Sequence, residues 1–345
     1  MPVRFPAPLK PGDTIAITAP STGVPAALHT HLDGAKQALE QRGFIVLEGE
    51  CLRTSYKNKS ADKTLRAREL MSFLTRPDIH AVMPPWGGDL AIEILELLDF
   101  TLLSQTQPKW FSGYSDLSTL HFPLTMLAGW ATLHGPNLME LGSQQVDQTT
   151  QGIWSVLEAP RGTQVEHRAS QYHQDGPCQG CPDAKTGFRL TQPTRWKRLD
   201  GLHGNLEIHG RLAGGCLDTL ARLAGTRFGN LPRFCEQHQQ EGVILYIENV
   251  EMNPCELTRA LYSLRLHGWF HAVSGVLVGR HAAPDASTPE HQSQRDALNS
   301  ALGDLPVPVL YDLDIGHIPP QLSLVNGALA AVYFQEDSGR ITQAL

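Results

Sequence analysis

The stretch KWFSGYSDLSTLHF, residues 109–122, sets a serine where a strand should stop and a helix should start. Trp110 and Phe111 suit the end of a buried strand, Gly113 permits a tight turn, and Leu117, Leu120 and Leu124 recur at helical spacing behind Asp116. Ser115 is therefore expected at a sharp elbow, with its hydroxyl pushed beyond the sheet edge. The N-terminus of the following helix would aim backbone N–H groups at any oxyanion forming beside it. That is the geometry of a nucleophile. The hydrolase elbow G-x-S-x-G has glycine where this chain has Leu117, so the motif is a different one. A capping serine followed by a first-turn aspartate fits the same letters.

Upstream, residues 14–20 (TIAITAP) form a short β-branched run that ends in proline, and Leu28, Leu32, Ala35 and Leu39 follow at helical spacing. Gly43 closes that helix, residues 44–47 supply a second apolar run, and an amphipathic segment over 61–75 leads to Ala81-Val82-Met83. This β-α-β-α-β order calls for a parallel sheet with helices on its faces. Pro84-Pro85-Trp86-Gly87-Gly88-Asp89 comes directly after the third strand, at the carboxyl edge where ligands of parallel sheets gather. A Gly-Gly step there lets bare backbone approach a substrate. Gly88 and the residue after the nucleophile, Asp116, are thus the candidate backbone oxyanion donors, with an ordinary glycine turn as the competing reading. Residues 129–134 read as the next strand and complete the N-terminal sheet.

At 345 residues the chain has room for two domains, expected over 1–158 and 205–345 with a linker and inserted loop over 159–204. The middle stretch turns to Gln, Asp, Gly, Pro and Thr with little periodicity. Its one tryptophan, Trp196, sits among Arg195, Lys197 and Arg198, suited to anchoring the loop or to stacking on a ligand. No apolar run approaches the roughly 20 residues of a membrane span, and the N-terminus lacks the h-region of a secretory signal. A cytoplasmic protein is expected. A net charge of −7 argues against affinity built on neutralising phosphates, which leaves small molecules or peptides as partners rather than nucleic acid. The six cysteines are scattered and do not suggest a disulfide framework. Cys178 and Cys181, with His173 nearby, have metal-ligand spacing but no fourth ligand, so a thiol pair in a loop competes with a metal site.

The second half reads as alternating strands and helices. A glycine-rich run over 210–215 precedes a helix at 216–223, VILYI at 243–247 is the clearest strand, and helices over 256–266 and 290–302 flank a strand at 275–278. Residues 321–334 alternate around Asn326-Gly327, a strong hairpin signal. A serine hydroxyl needs a base within hydrogen-bond reach, and that base works best with a third group fixing its tautomer. His317 sits in a Gly-His step just beyond a strand and before Pro319-Pro320, and Glu248 stands at the carboxyl end of VILYI, where a carboxylate is poorly solvated unless paired. A structural histidine and a solvent-facing glutamate fit the same positions.

The order Ser115, Glu248, His317 and the text around each bring a family into view. LKPGDTIAITAPS, PPWGGDLAIEILELLDF, KWFSGYSDLSTLH, HGPN at 134–137, GRLAGGCLDTLARLAGT, VILYIENVEMNP and DIGHIPPQLSLVNG occur in one order along nearly the whole chain. Together they resemble the LD-carboxypeptidases, peptidase family S66, and within them the branch of the microcin C immunity proteins. The resemblance implies Ser115 as nucleophile, His317 as general base and Glu248 as the residue that orients the histidine, with Gly88 and Asp116 as oxyanion donors. It implies an α/β fold, a parallel-sheet Rossmann-like N-terminal domain joined to a smaller C-terminal α/β domain, with the triad completed at the interface. It further implies a homodimer that needs no metal or cofactor. The family's carboxypeptidases release a terminal D-alanine from murein tetrapeptides, whereas the immunity branch cleaves an amide in a peptidyl nucleotide analogue and holds the base with tryptophans of an inserted loop. The expected function is a serine peptidase of the first kind. The alternatives are an immunity-type hydrolase of peptidyl or aminoacyl nucleotide conjugates, and a catalytically silent protein that binds peptide or nucleotide.

Overall fold

The computed structural model describes residues 2–177 and 182–345, so the Cys178/Cys181 pair lies outside the described residues. The first sheet takes β1 (Thr14–Ile17), β2 (Ile45–Glu48), β3 (Ala81–Val82), β4 (Trp110–Gly113) and β5 (Thr132–His134) in the order β2-β1-β3-β4-β5, all parallel. Side chains alternate between its faces. Ile15 and Ile17 pack with Leu32, Ala35 and Leu39 of the helix His29–Gln41, while Ala16, Val82 and Phe111 pack with Leu70 and Leu74 of the helix Lys63–Thr75 and with Leu120 of the helix Ser118–Ala128. With both faces covered, the strands read as apolar runs. The chain reverses its direction across the sheet between β1 and β3, so the loops after these strands part and leave a crevice at the carboxyl edge.

The second sheet is built on four parallel strands, β10 (Leu206–Cys216), β11 (Val243–Glu248), β12 (Gly275–Gly279) and β13 (Val309–Leu313). Antiparallel strands extend it: β15 (Leu329–Gln335), β16 (Ser338–Ala344) and β6 (Gln164–Arg168) beyond β10, and β9 (Lys197–Arg198) beyond β13. A separate ribbon pairs β7 (Tyr172–Gln174) with β8 (Leu190–Pro193). One apolar core runs through both halves, with Phe122 stacked on Trp269 at 5.1 Å between ring centroids. Among the described residues, no helix is long and apolar enough to cross a membrane.

Three expectations change. The stretch over 159–204 is not a structureless linker, since it supplies both outer strands of the second sheet, β6 and β9. The glycine-rich run before Cys216 belongs to the longest strand of the protein. Its glycines admit the neighbouring backbone, because a Cβ on Gly214 would lie 1.8 Å from the Tyr246 carbonyl oxygen.

The third change concerns Asn326-Gly327, which does not close a hairpin. Instead β14 (Leu324–Asn326) pairs antiparallel with β5, adding a sixth strand to the N-terminal sheet, which is therefore not complete at β5. The Asn326 amide is fully buried: Oδ1 accepts from the Gly214 N–H and the Tyr246 hydroxyl, both at 2.9 Å, and Nδ2 donates to Thr132 Oγ1 at 3.3 Å. Those bonds fasten the C-terminal half onto the N-terminal sheet. The tight hairpin lies one step later, at Glu336 and Asp337, both at positive φ (49° and 64°) between β15 and β16.

Candidate active site

Ser115 follows β4 at a backbone φ of +65°, the left-handed region that costs a non-glycine residue about 1–2 kcal/mol. Strain of this kind gathers at functional sites. Gly113 makes the turn possible, since a Cβ there would strike Leu117 Cδ1 at 2.4 Å and Asn137 Oδ1 at 2.6 Å. A short 3-10 turn, Ser115–Leu117, then opens into the helix Ser118–Ala128. The loop after β3 lies directly against this elbow, for a Cβ on Gly87 would come within 2.7 Å of the Asp116 nitrogen. Gly88, at φ +133°, backs onto Ser21 and Thr22 of the loop after β1, with a virtual Cβ 2.3 Å from Thr22 Oγ1. Among the described residues, neither the Gly88 N–H nor the Asp116 N–H has a protein acceptor.

The Asp116 side chain does something the sequence did not suggest. Buried to 3% exposure, its Oδ2 accepts from Ser21 Oγ at 2.5 Å and the Ala91 N–H at 2.8 Å, and its Oδ1 from Thr119 Oγ1 at 3.1 Å. Burial pushes this carboxyl up, and the three hydrogen bonds pull against that. The fully buried Arg66 reinforces the same clamp by donating to the carbonyls of Pro20 at 2.8 Å and Leu90 at 3.0 Å. The loops after β1, β3 and β4 are thereby locked together around Ser115.

From the other half come Glu248 and His317. Glu248 ends β11 with no exposed surface, and His317 follows β13 in the loop that leads to β14. His317 Nε2 lies 2.9 Å from Ser115 Oγ, and its Nδ1 lies 2.8 Å from Glu248 Oε2. The structure thus brings these three residues together across the junction of the two sheets. Gly316 is required beside them, at φ +96° with a virtual Cβ 2.5 Å from Glu248 Oε2. Burial works against both charged forms of the pair. For Glu248 the charge and hydrogen bond of His317 outweigh it and hold the carboxyl below its ordinary value; for His317 the charge and hydrogen bond of Glu248 outweigh it and raise the imidazole above its own. A buried His134 stands nearby, kept neutral by burial that lowers it to about 4.

Trp196 packs in the apolar core of the second sheet with Ile208 and Phe334. Its ring is fully buried and its Nε1 donates to Asp314 Oδ2 at 2.8 Å, so the anchoring role suggested by the sequence fits and the stacking role does not. Asp314 in turn pairs with Arg280 Nη1 at 2.9 Å, while Arg280 Nη2 donates to the carbonyls of Ile318 at 3.0 Å and Pro320 at 2.7 Å. The inserted region therefore braces the loop that carries His317. Sequence reasoning passed over Arg280 and Asp314, because nothing local marks a pair that meets only through neighbouring strands. It also passed over Tyr114 and Glu140, although Asn137 and Glu140 have the spacing of a capping box.

Residues 15–135 match the family model of the LD-carboxypeptidase N-terminal domain, and residues 209–332 match that of the LD-carboxypeptidase C-terminal domain. The microcin C7 self-immunity protein MccF of Escherichia coli is 25% identical over 98% of this chain and 95% of its own length. A probable murein peptide carboxypeptidase of Bacillus subtilis (strain 168) is 25% identical over 97% of this chain and 93% of its own. Among solved structures, MccF in complex with glutamyl sulfamoyl guanosine has a TM-score of 0.83 at 23% identity, covering 99% of this chain and 98% of that one. That likeness concerns the fold.

Proposed function

Since the chain belongs to the LD-carboxypeptidase family, peptidase family S66, we propose that it is a serine peptidase that hydrolyses an amide bond in a small peptide, with murein tetrapeptides that end in D-alanine as its substrate class. The observation that carries the reading is the pair of hydrogen bonds at His317, 2.9 Å to Ser115 Oγ and 2.8 Å to Glu248 Oε2. Ser115 Oγ attacks the carbonyl carbon as His317 Nε2 takes its proton. Glu248 keeps the other ring nitrogen protonated and stabilises the imidazolium that forms. The N–H groups of Gly88 and Asp116 donate to the tetrahedral oxygen, His317 returns the proton to the leaving amine, and water repeats the sequence on the acyl-enzyme. The reading takes the enzyme as cytoplasmic and without metal or cofactor and, by family resemblance, as a homodimer.

Hydrolysis of a peptidyl or aminoacyl nucleotide conjugate is the second reading, favoured by the match to MccF over nearly the whole chain. The peptide reading stands ahead of it because the one tryptophan of the inserted region is buried against Asp314 and offers no face to a nucleobase. A catalytically silent binding protein is the weakest of the three, because such a protein has no need of a strained serine aligned with a paired histidine. Turnover of a tetrapeptide ending in D-alanine and of an aminoacyl sulfamoyl adenylate, measured side by side with wild type and Ser115→Ala, separates these readings. We expect release of D-alanine by wild type and none by the variant. Conjugate cleavage alone would move the second reading to first place, and equal activity in wild type and variant would remove Ser115 from the mechanism.

A further inference from the structure

One carboxyl beside His317 has no task in this chemistry. Glu140 lies in the turn Leu138–Leu141 after β5 and is buried to 9% exposure. Its Oε2 accepts from the Asn137 N–H at 3.3 Å, as a capping box requires, and its Oε1 accepts from the Tyr114 hydroxyl at 2.7 Å. Tyr114 is held at its other end as well, its N–H donating to Asn137 Oδ1 at 3.2 Å. Between these tethers the tyrosine ring lies against the imidazole of His317, with 4.7 Å between centroids and 58° between planes. Tyr114 immediately precedes Ser115, so the strained elbow and the histidine share this contact.

A cap alone does not call for a charge. Glutamine serves the same position in a capping box, and an ionisable carboxyl is costly to bury. Burial pushes Glu140 up to about 7, against the opposing hydrogen bonds of Tyr114 and Asn137 and the charge of His317. The groups whose charges act on His317 are Glu248 at the end of β11, Asp218 in the helix Leu217–Leu223, Glu140, and His134 of β5. Of the three carboxylates, Glu140 also grips the ring that packs on the imidazole.

We propose that Glu140 is a positioning residue for His317, fixing the Tyr114 ring against the imidazole and adding its carboxyl charge to those of Glu248 and Asp218 that act on it. This rests on reading His317 as the general base. It assigns Glu140 a part in setting the pH at which that base becomes available, beyond its part in the turn.

The test is a proton NMR titration of the His317 Cε1–H in the full-length protein labelled with ¹³C-histidine, the resonance being assigned by its loss in His317→Gln. Wild type, Glu140→Gln, Tyr114→Phe and Glu248→Gln are compared. Glu140→Gln keeps an acceptor for the tyrosine hydroxyl and removes the charge, so the His317 midpoint moves to lower pH. Tyr114→Phe takes a hydrogen bond from Glu140, which makes the carboxyl more readily protonated, and the midpoint again moves down. The pH dependence of Ser115 labelling by a fluorophosphonate shifts in the same direction in both variants. A His317 midpoint unchanged in Glu140→Gln and Tyr114→Phe, while Glu248→Gln moves it, overturns this proposal and leaves the catalytic reading standing. A midpoint that Glu248→Gln fails to move overturns the catalytic reading itself.

Discussion

Replacing Trp196 by phenylalanine decides between a ring that meets ligand and a ring that braces the loop carrying His317. In the structure the indole Nε1 donates to Asp314 Oδ2 at 2.8 Å, and the ring fills a space so tight that a Cβ on Gly339 would lie 2.4 Å from it. Phenylalanine keeps an aromatic face but withdraws the donor. A buried carboxylate losing one donor costs about 1–3 kcal/mol, and the volume vacated by the smaller ring adds roughly 1 kcal/mol. The Ser170 N–H, also bonded to Asp314 Oδ2 at 3.2 Å, keeps the loss towards the lower part of that range. With an unfolding entropy of about 2.1 cal/mol/K per residue, a chain of 345 residues loses about 0.7 kcal/mol per degree near Tm, so Trp196→Phe should lower Tm by roughly 3–5 °C. Because Asp314 holds Arg280, and Arg280 holds the carbonyls of Ile318 and Pro320, kcat should fall several-fold while KM stays put. Calorimetry and steady-state kinetics on the preferred substrate measure both effects. An unchanged Tm together with a KM raised tenfold would show that the ring contacts ligand, and the bracing argument would fail.

Two further predictions concern the chemistry. His317 accepts a proton only when neutral, and the charge of Glu248 raises its proton affinity, so the acid limb of kcat/KM should lie above the ordinary histidine value of 6.5. Glu248→Gln should move that limb to lower pH and cut kcat by about 10³–10⁴-fold, since an amide neither fixes the tautomer nor stabilises the imidazolium. A limb that stays in place in a pH–rate profile would exclude the coupling. Gly88→Ala puts a Cβ 2.3 Å from Thr22 Oγ1 at a φ of +133°, so the loop must shift. Loss of one oxyanion donor predicts a fall in kcat of about 10²–10³-fold. Single-turnover rates at wild-type level would mean that the Gly88 N–H is not a donor.

The local record of the chain was informative wherever one element carries its own signal. The parallel order of the N-terminal strands follows from strand and helix periods alternating over short connections. The elbow at Ser115 was legible because Gly113, the serine and the leucine spacing lie within a few residues of one another. The two glycines after β3 and the carboxylate closing VILYI were visible for the same reason. What escaped were features whose partners lie far along the chain. The Asn326-Gly327 pair reads as a hairpin from its letters, yet the Asn326 amide spans β5, β10 and β11, and its two flanking strands enter different sheets.

The sequence by itself therefore determined the alternation of strands and helices in the N-terminal parallel sheet and over residues 243–313, and the three residue types that acyl transfer needs at the ends of strands. The tertiary structure alone decided that Ser115 and His317, 202 positions apart, stand 2.9 Å from each other, and that Asp116, Arg66, Arg280 and Trp196 hold the loops in that register. The physical reason is range. Periodicity, turns and caps are settled by neighbours within a turn or two of the chain, whereas a hydrogen-bonded site between two sheets is settled by packing that brings distant strands edge to edge.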